Sequence, residues 1–194
     1  MAEFQQQVTY AYAAGLPGEI AADGPLRAQS FRLVANTTTP TNPIGFGQAF
    51  VYAPGGDVSN PNGIATTQTA TPGTDGTSVT FAGILINPKA HALYGTVSGG
   101  PLAPSYQLPD GSWGELCTMG ILFVSITAAT AAAGVAGAQV AFDAVGNLVA
   151  VAPGAAAPAG TQLIKGAFLN TNIGLQATPV LAVITLTGAQ AQSA

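Results

Sequence analysis

A lysine and the chain's single histidine stand two residues apart in "INPKAHALYG" (86–95), as Lys89 and His91. A cation beside an imidazole is raw material for acid–base or nucleophilic chemistry. In an extended strand positions 89 and 91 share a face, so the two groups can be neighbours. Pro88 cannot donate to a sheet ladder, so the stretch reads as a strand running out into a loop, with Lys89 and His91 at its exit. No nucleophile stands ready for them. The nearest serine motif, "TVSGG" around Ser98, lacks the first glycine of the G-x-S-x-G elbow. One histidine and one cysteine, Cys117, do not make a structural zinc site. "GGDVSNPNG" (55–63) offers oxygens on Asp57, Ser59, Asn60 and Asn62, but its glycine falls one position late and no acid follows at the twelfth place of a calcium loop. "GFGQA" (45–49) has no G-K-[ST] to hold phosphate. Several of the eight acids, Asp57, Asp75 and Asp110 among them, sit in turn contexts rather than in an evident pair. Catalytic, cofactor-binding and metal-binding residues are therefore read as none.

With enzyme chemistry unsupported, the surface becomes the informative feature. Only 6% of the 194 residues are charged, 4 basic and 8 acidic, and mean hydropathy is +0.40. A typical globular domain carries roughly 25%. Disorder usually needs low hydrophobicity and high charge, so this chain should fold. Once folded, it has few of the charges that keep monomers apart, and an apolar, neutral surface tends to be an interface. Arg27, Arg32, Lys89 and Lys165 are too scattered to neutralise a phosphate backbone, so nucleic acid is not expected as a partner. The first ten residues, "MAEFQQQVTY", lack the basic and apolar regions of a secretory signal. The uncharged run "GILFVSITAATAAAGVAGAQVAF" (120–142) is long enough to span a bilayer, but past its first third it is mostly Ala, Gly and Thr, with a Gln. It reads as a buried strand and a small-residue loop, with no membrane contact.

Twenty-five glycines and 14 prolines punctuate the chain into short pieces, with β-branched and aromatic runs between them. That pattern predicts an all-β fold, a jelly-roll-like sandwich or barrel. Strands are expected at 30–35, 47–53, 78–86 with a bulge at Gly83, 120–127, 161–169 and 179–187. A hairpin is expected over 139–151, turning at 143–147 with Gly146 at positive φ. Residues 1–30 read as an extended arm, with an ordinary first strand and loops as the alternative, because Gly15, Pro17, Gly18, Gly24 and Pro25 exclude a helix. Residues 31–194 read as one β domain. Long loops are expected at 52–78 and at 104–116, where Tyr106 and Trp113 flank a Pro-Asp-Gly-Ser turn. "TAATAAAGVAGA" (127–138) allows a helical turn or two at most.

The order of four stretches resembles the structural cement (capsid decoration) proteins of tailed bacteriophages. They are "GLPGEIA" (15–21), "NPIGFGQAFVY" (42–52), "FAGILINP" (81–88), and a second half made of "GELCTMGILFVSI" (114–126), "GAQVAFDAVGNLVA" (137–150) and "IKGAFLNT" (164–171). The resemblance implies a jelly-roll-type or related barrel, in a homodimer or homotrimer. It implies a place on the outer surface of the capsid, in a protein made in the bacterial host cytoplasm, where it clamps adjacent major capsid subunits and stabilises the head. It carries no catalytic residues and no cofactor. The residues taken as candidate protein contacts are Glu3, Phe4, Glu19, Arg27, Arg32, Lys89, His91, Tyr106 and Trp113. Two other readings remain open at this point. One is a different virion component, such as a head-fibre base or tail protein. The other is an extracellular β-sandwich module reading sugars with Tyr106 and Trp113.

Overall fold

The computed structural model describes residues 15–34, 44–52, 58–59, 80–86, 107–108 and 113–189. Eleven strands run through them and no helix: β1 (Arg27–Val34), β2 (Ile44–Gly45), β3 (Ala49–Tyr52), β4 (Val58–Ser59), β5 (Phe81–Leu85), β6 (Gln107–Leu108), β7 (Trp113–Ala128), β8 (Gln139–Asp143), β9 (Leu148–Val151), β10 (Thr161–Leu169) and β11 (Gln176–Thr187). The all-β, barrel-like expectation holds. Nine strands form one sheet in the order β1-β4-β3-β5-β7-β11-β10-β8-β9, and β2 pairs with β6 separately.

Two further pairings, β1–β7 and β7–β9, close this sheet into two circuits. One runs β7-β1-β4-β3-β5 and the other β7-β11-β10-β8-β9, so β7 is a stave of both. It is 16 residues long, about 50 Å at the usual rise per residue. Its first half faces β1 and β5, up to Cys117 opposite Ile84. Its second half, from Met119 opposite Thr187 onward, faces β11 and, near its end, β9. The change-over is a bulge. Arg27 lies opposite Met119 and Ala28 opposite Cys117, which leaves Thr118 without a counterpart in β1. An extra residue bends a strand, and here the bend lets one strand serve two curved walls.

Each circuit has its own apolar filling. The larger cluster draws Leu122, Val124, Ile126 and Ala128 from β7, Val140 and Phe142 from β8, Leu148 and Ala150 from β9, and Ala182, Ile184 and Leu186 from β11. The smaller one joins Leu33, Ile44, Phe46, Phe50, Ala82, Leu85 and Leu116. Strands β3 and β5 separate them. Phe50 and Leu85 enter the small core, while Ala49, Val51, Ile84 and Ile86 enter the large one. Strands buried on both faces must be apolar at nearly every position, which accounts for "AFVY" and "FAGIL". The predicted bulge at Gly83 is present: Phe50 pairs with Gly83 and Val51 with Phe81. Gly83 sits at φ 154°, and a Cβ there would lie 2.8 Å from Leu116 Cβ and 3.0 Å from the Cys117 carbonyl oxygen, so only glycine fits.

The 139–151 hairpin is also as read. Gly146 takes φ 86°. Asp143 Oδ1 accepts from the Val145 and Asn147 backbone N–H groups, and Oδ2 from Asn147 Nδ2, at 2.9–3.0 Å. The run 120–142 resolves into the end of β7, a turn region at 129–138 and the start of β8; within the turn region Ala133 N–H donates to the Thr130 carbonyl and Gly134 N–H to the Ala131 carbonyl, a single short turn. No helix among the described residues is long and apolar enough to cross a membrane.

The expected loop at 104–116 is corrected. Gln107 and Leu108 pair with Gly45 and Ile44, and residues 113–116 already belong to β7. Trp113 to Leu116 alternate outward and inward as a strand should, but the first inward position is Gly114, which carries no apolar signal. A Cβ on Gly114 would lie 2.6–2.7 Å from Leu33 Cδ1 and Leu85 Cδ1. The small core needs that space empty.

Upstream of β1, Pro17 and Gly18 make a turn closed by Glu19 N–H to the Leu16 carbonyl at 3.0 Å, with Gly18 at φ 87°. This is the chemistry of a type II turn. The chain after it then lies along β7: Phe123 N–H donates to the Glu19 carbonyl, Ala21 N–H to the Ile121 carbonyl, and Ile20 bridges Leu122. Strand β1 starts at Arg27, within the segment expected as an arm, and continues into the body.

Candidate functional site

Four of the nine candidate contact residues fall among the described residues: Glu19, Arg27, Arg32 and Trp113. Glu3, Phe4, Lys89, His91 and Tyr106 lie outside them.

Glu19 is engaged locally. Its Oε2 accepts from Leu16 N–H at 3.0 Å, across the turn it helps to close. Arg32 and Trp113 meet on one ladder, and Arg27 stands further along the same strand. Arg32 is directly opposite Trp113 in β1–β7, Ser30 is opposite Glu115, and Arg27 is opposite Met119. Arg27, Ser30, Arg32 and Glu115 are exposed, and Trp113 is 65% exposed, the most of any large apolar side chain described. Side chains directly opposite in an antiparallel pair lie about 5 Å apart at Cβ, so the guanidinium-bearing and indole-bearing residues form one patch. Beyond it, Tyr52 is 41% exposed and meets Phe31 edge-on, with ring centroids 5.8 Å apart. Sequence reasoning missed Tyr52 and Phe31. Their signal was the aromatic ending of "AFVY" and the loose alternation of "SFRLV", read only as strand propensity.

The Arg32–Trp113 patch is backed by well-packed wall. The next positions inward on the same face, Ala28 and Cys117 with Ile84 beside them, pack into the large core. Tryptophan, tyrosine and arginine are the residue types that dominate protein–protein binding energy when they are held rigidly. This group can supply stacking area, a charge and hydrogen-bond donors to another polypeptide.

Reactive chemistry has little footing nearby. Cys117 is fully buried, its thiol donates to the Met119 carbonyl at 3.1 Å, and burial raises its pKa to about 11. Thiolate is the nucleophile, so this sulfur is inert at neutral pH. No group of three or more His, Cys, Asp or Glu that could hold a metal occurs among the described residues. A cleft of about 360 Å³ opens between the 45–48 turn, Pro17, Ser125, Thr127 and the 143–149 hairpin. Its acid, Asp143, is committed to its own hairpin, and Gln48 Oε1 accepts from Gly45 N–H at 2.9 Å.

Comparison with known proteins points the same way. The sequence model of a phage family described as "Structural cement protein (E217 gp24/Pam3 gp6)" matches residues 4–187. Among curated proteins none matches the chain. A chain from the solved structure "The capsid of Myoviridae Phage XM1" is similar in fold, with a TM-score of 0.55 and 14% sequence identity, covering 96% of this chain and 98% of that one.

Proposed function

This chain belongs to the phage structural cement protein family, a capsid-associated structural component of the virion, and on that premise we propose that it acts as a clamp on the outer face of the head. In this reading it bridges adjacent major capsid subunits, assembles with further copies of itself and performs no catalysis. The residues ahead of β1 serve as an arm on the β body, and Glu3, Phe4, Lys89, His91 and Tyr106 add contacts to those of Arg27, Arg32 and Trp113. The observation that carries it is the Trp113 indole, 65% exposed on a wall strand directly opposite Arg32. An apolar ring of that size left open to water is best accounted for by a partner that covers it.

A protein that binds only the assembled head stabilises it by mass action. Heads assembled without this protein should therefore take it up from solution, sediment with it and withstand higher temperature before releasing DNA. A purified chain that stays in the supernatant at micromolar concentration would rule the clamp out.

A further inference from the structure

We infer that the seam between the two barrels, at residues 20–27, is a two-fold contact between two copies of this chain. This deepens the clamp reading, in which the chain assembles with itself, and rests on it. Strand β1 covers its edge of β7 as far as Met119, and β9 covers it from Ile126. On the stretch between, residues 18–21 lie against β7 through Gly18 N–H to the Phe123 carbonyl and Ala21 N–H to the Ile121 carbonyl, both at 2.8 Å. The chain then crosses the seam to enter β1 at Arg27, and every residue from Ala22 to Arg27 is exposed.

Two large apolar side chains stand open here. Ile20 and Leu26 are each 47% exposed, and with Gly120 and Ile121 they line one groove of about 100 Å³. Leu26 is seated on bare backbone: a Cβ on Gly120 would lie 3.0 Å from its Cδ1. Gly24, on the groove's margin, borders open space, since a Cβ there would meet nothing within 4 Å. Apolar side chains grouped on a wall and left open to water mark a contact site.

Charge selects the occupant. Asp23 lines the groove and Arg27 directly follows Leu26. Both are exposed, and among the described residues neither has an ion-pair partner. Two copies of net charge −4 repel one another, so they need a place where opposite signs meet. In a two-fold contact one patch faces itself. With an acid before Leu26 and a base after it, the two-fold sets each Asp23 against the partner's Arg27. That makes two ion pairs and closes Ile20 and Leu26 of both copies over the apolar centre. A capsid segment would have to bring an apolar side chain, a base and an acid in matching order, whereas a second copy carries them by construction.

Sedimentation velocity of the full chain, with each charge reversed in turn, tests this. The wild type should sediment at twice the chain's 19.1 kDa at micromolar concentration. D23R sets two bases against each other across the two-fold, and R27D sets two acids. Each variant should self-associate at least about tenfold more weakly and keep the wild-type thermal transition. An equimolar mixture of D23R and R27D meets with opposite signs at both contacts and should return to the doubled mass. A mixture that stays monomeric overturns the two-fold contact, and so does a wild type that is monomeric or trimeric. Single variants that stay dimeric but no longer sediment with heads assembled without the protein give the patch to a capsid subunit, and overturn it as well. Wild type that dimerises as expected and fails to bind such heads removes the clamp reading and leaves the two-fold contact standing.

Discussion

Arg32 and Trp113 face each other across the β1–β7 ladder, at the point where β7 begins. The pair is surface-exposed on a strand whose opposite face, through Gly114 and Leu116, is fully buried. Energetics at this position therefore divide cleanly between binding and folding.

Replacing Trp113 by alanine should leave stability within about 0.5 kcal/mol of wild type, as exposed substitutions usually do. The same variant should weaken head binding by on the order of 2 kcal/mol, about thirtyfold, the scale of an interface hot spot. Thermal melts and co-sedimentation with heads measure the two effects separately. Equal head affinity would place the contact elsewhere.

Gly114→Ala has the opposite signature. A methyl at this site meets Leu33 and Leu85 at 2.6–2.7 Å, and overpacking a full core costs about 1–3 kcal/mol. The melting temperature should fall, and head affinity measured well below the transition should be preserved.

Gly134→Ala should be costlier still. Its added Cβ meets the Gly174 carbonyl oxygen, which is backbone and cannot swing aside. The Gly134 carbonyl accepts both Ile173 and Gly174 N–H groups, at 2.7 and 3.0 Å, and holds the 129–138 and 170–175 loops together. Losing that apposition should cost about 1–3 kcal/mol beyond the steric term and should speed amide exchange at 173 and 174 before it affects β7.

The Cys117 thiol should titrate late. Its folded pKa of about 11 is above the ordinary 9.0 because burial disfavours the thiolate. The folded state thus keeps a proton that the unfolded chain gives up. The group's contribution to stability is complete below pH 9, falls as pH rises between 9 and 11, and is gone above that. Denaturant melts from pH 8 to 11 should show this decline, and Cys117→Ala should flatten it. At pH 8 the native thiol should react with a disulfide reagent only as fast as the protein opens.

Much of this architecture can be read from residue order, and the unread parts have identifiable causes. The 143–147 turn was legible because Asp143 and Gly146 announce it locally. The Gly83 bulge was legible because it interrupts an apolar run. The start of β7 was not, since Gly114 hides its inward position and Pro109-Asp110-Gly111 reads as loop. Closure of the two rings left no mark either. It depends on the pairing of Arg32 with Trp113, far apart in sequence, and on the parallel pairing of Ile126 with Leu148, neither of which any periodicity announces. At the surface, Arg32 and Trp113 could each be singled out as rare residue types, but only the register shows that they form one patch. Tyr52 was obscured because its strand looks uniformly buried.

The shared strand has a mechanical consequence. Hydrogen bonds in a β ladder lie across the strands, so a pull along β7 loads them in shear, many at once. A pull across the sheet would open them one after another, as a zipper opens. With β1, β5, β9 and β11 all gripping β7, tension applied near Trp113 passes into both barrels together, and neither can be peeled away while the other remains intact. A protein fastened by the Trp113 end of this strand would yield abruptly at one high force, without a series of partial extensions.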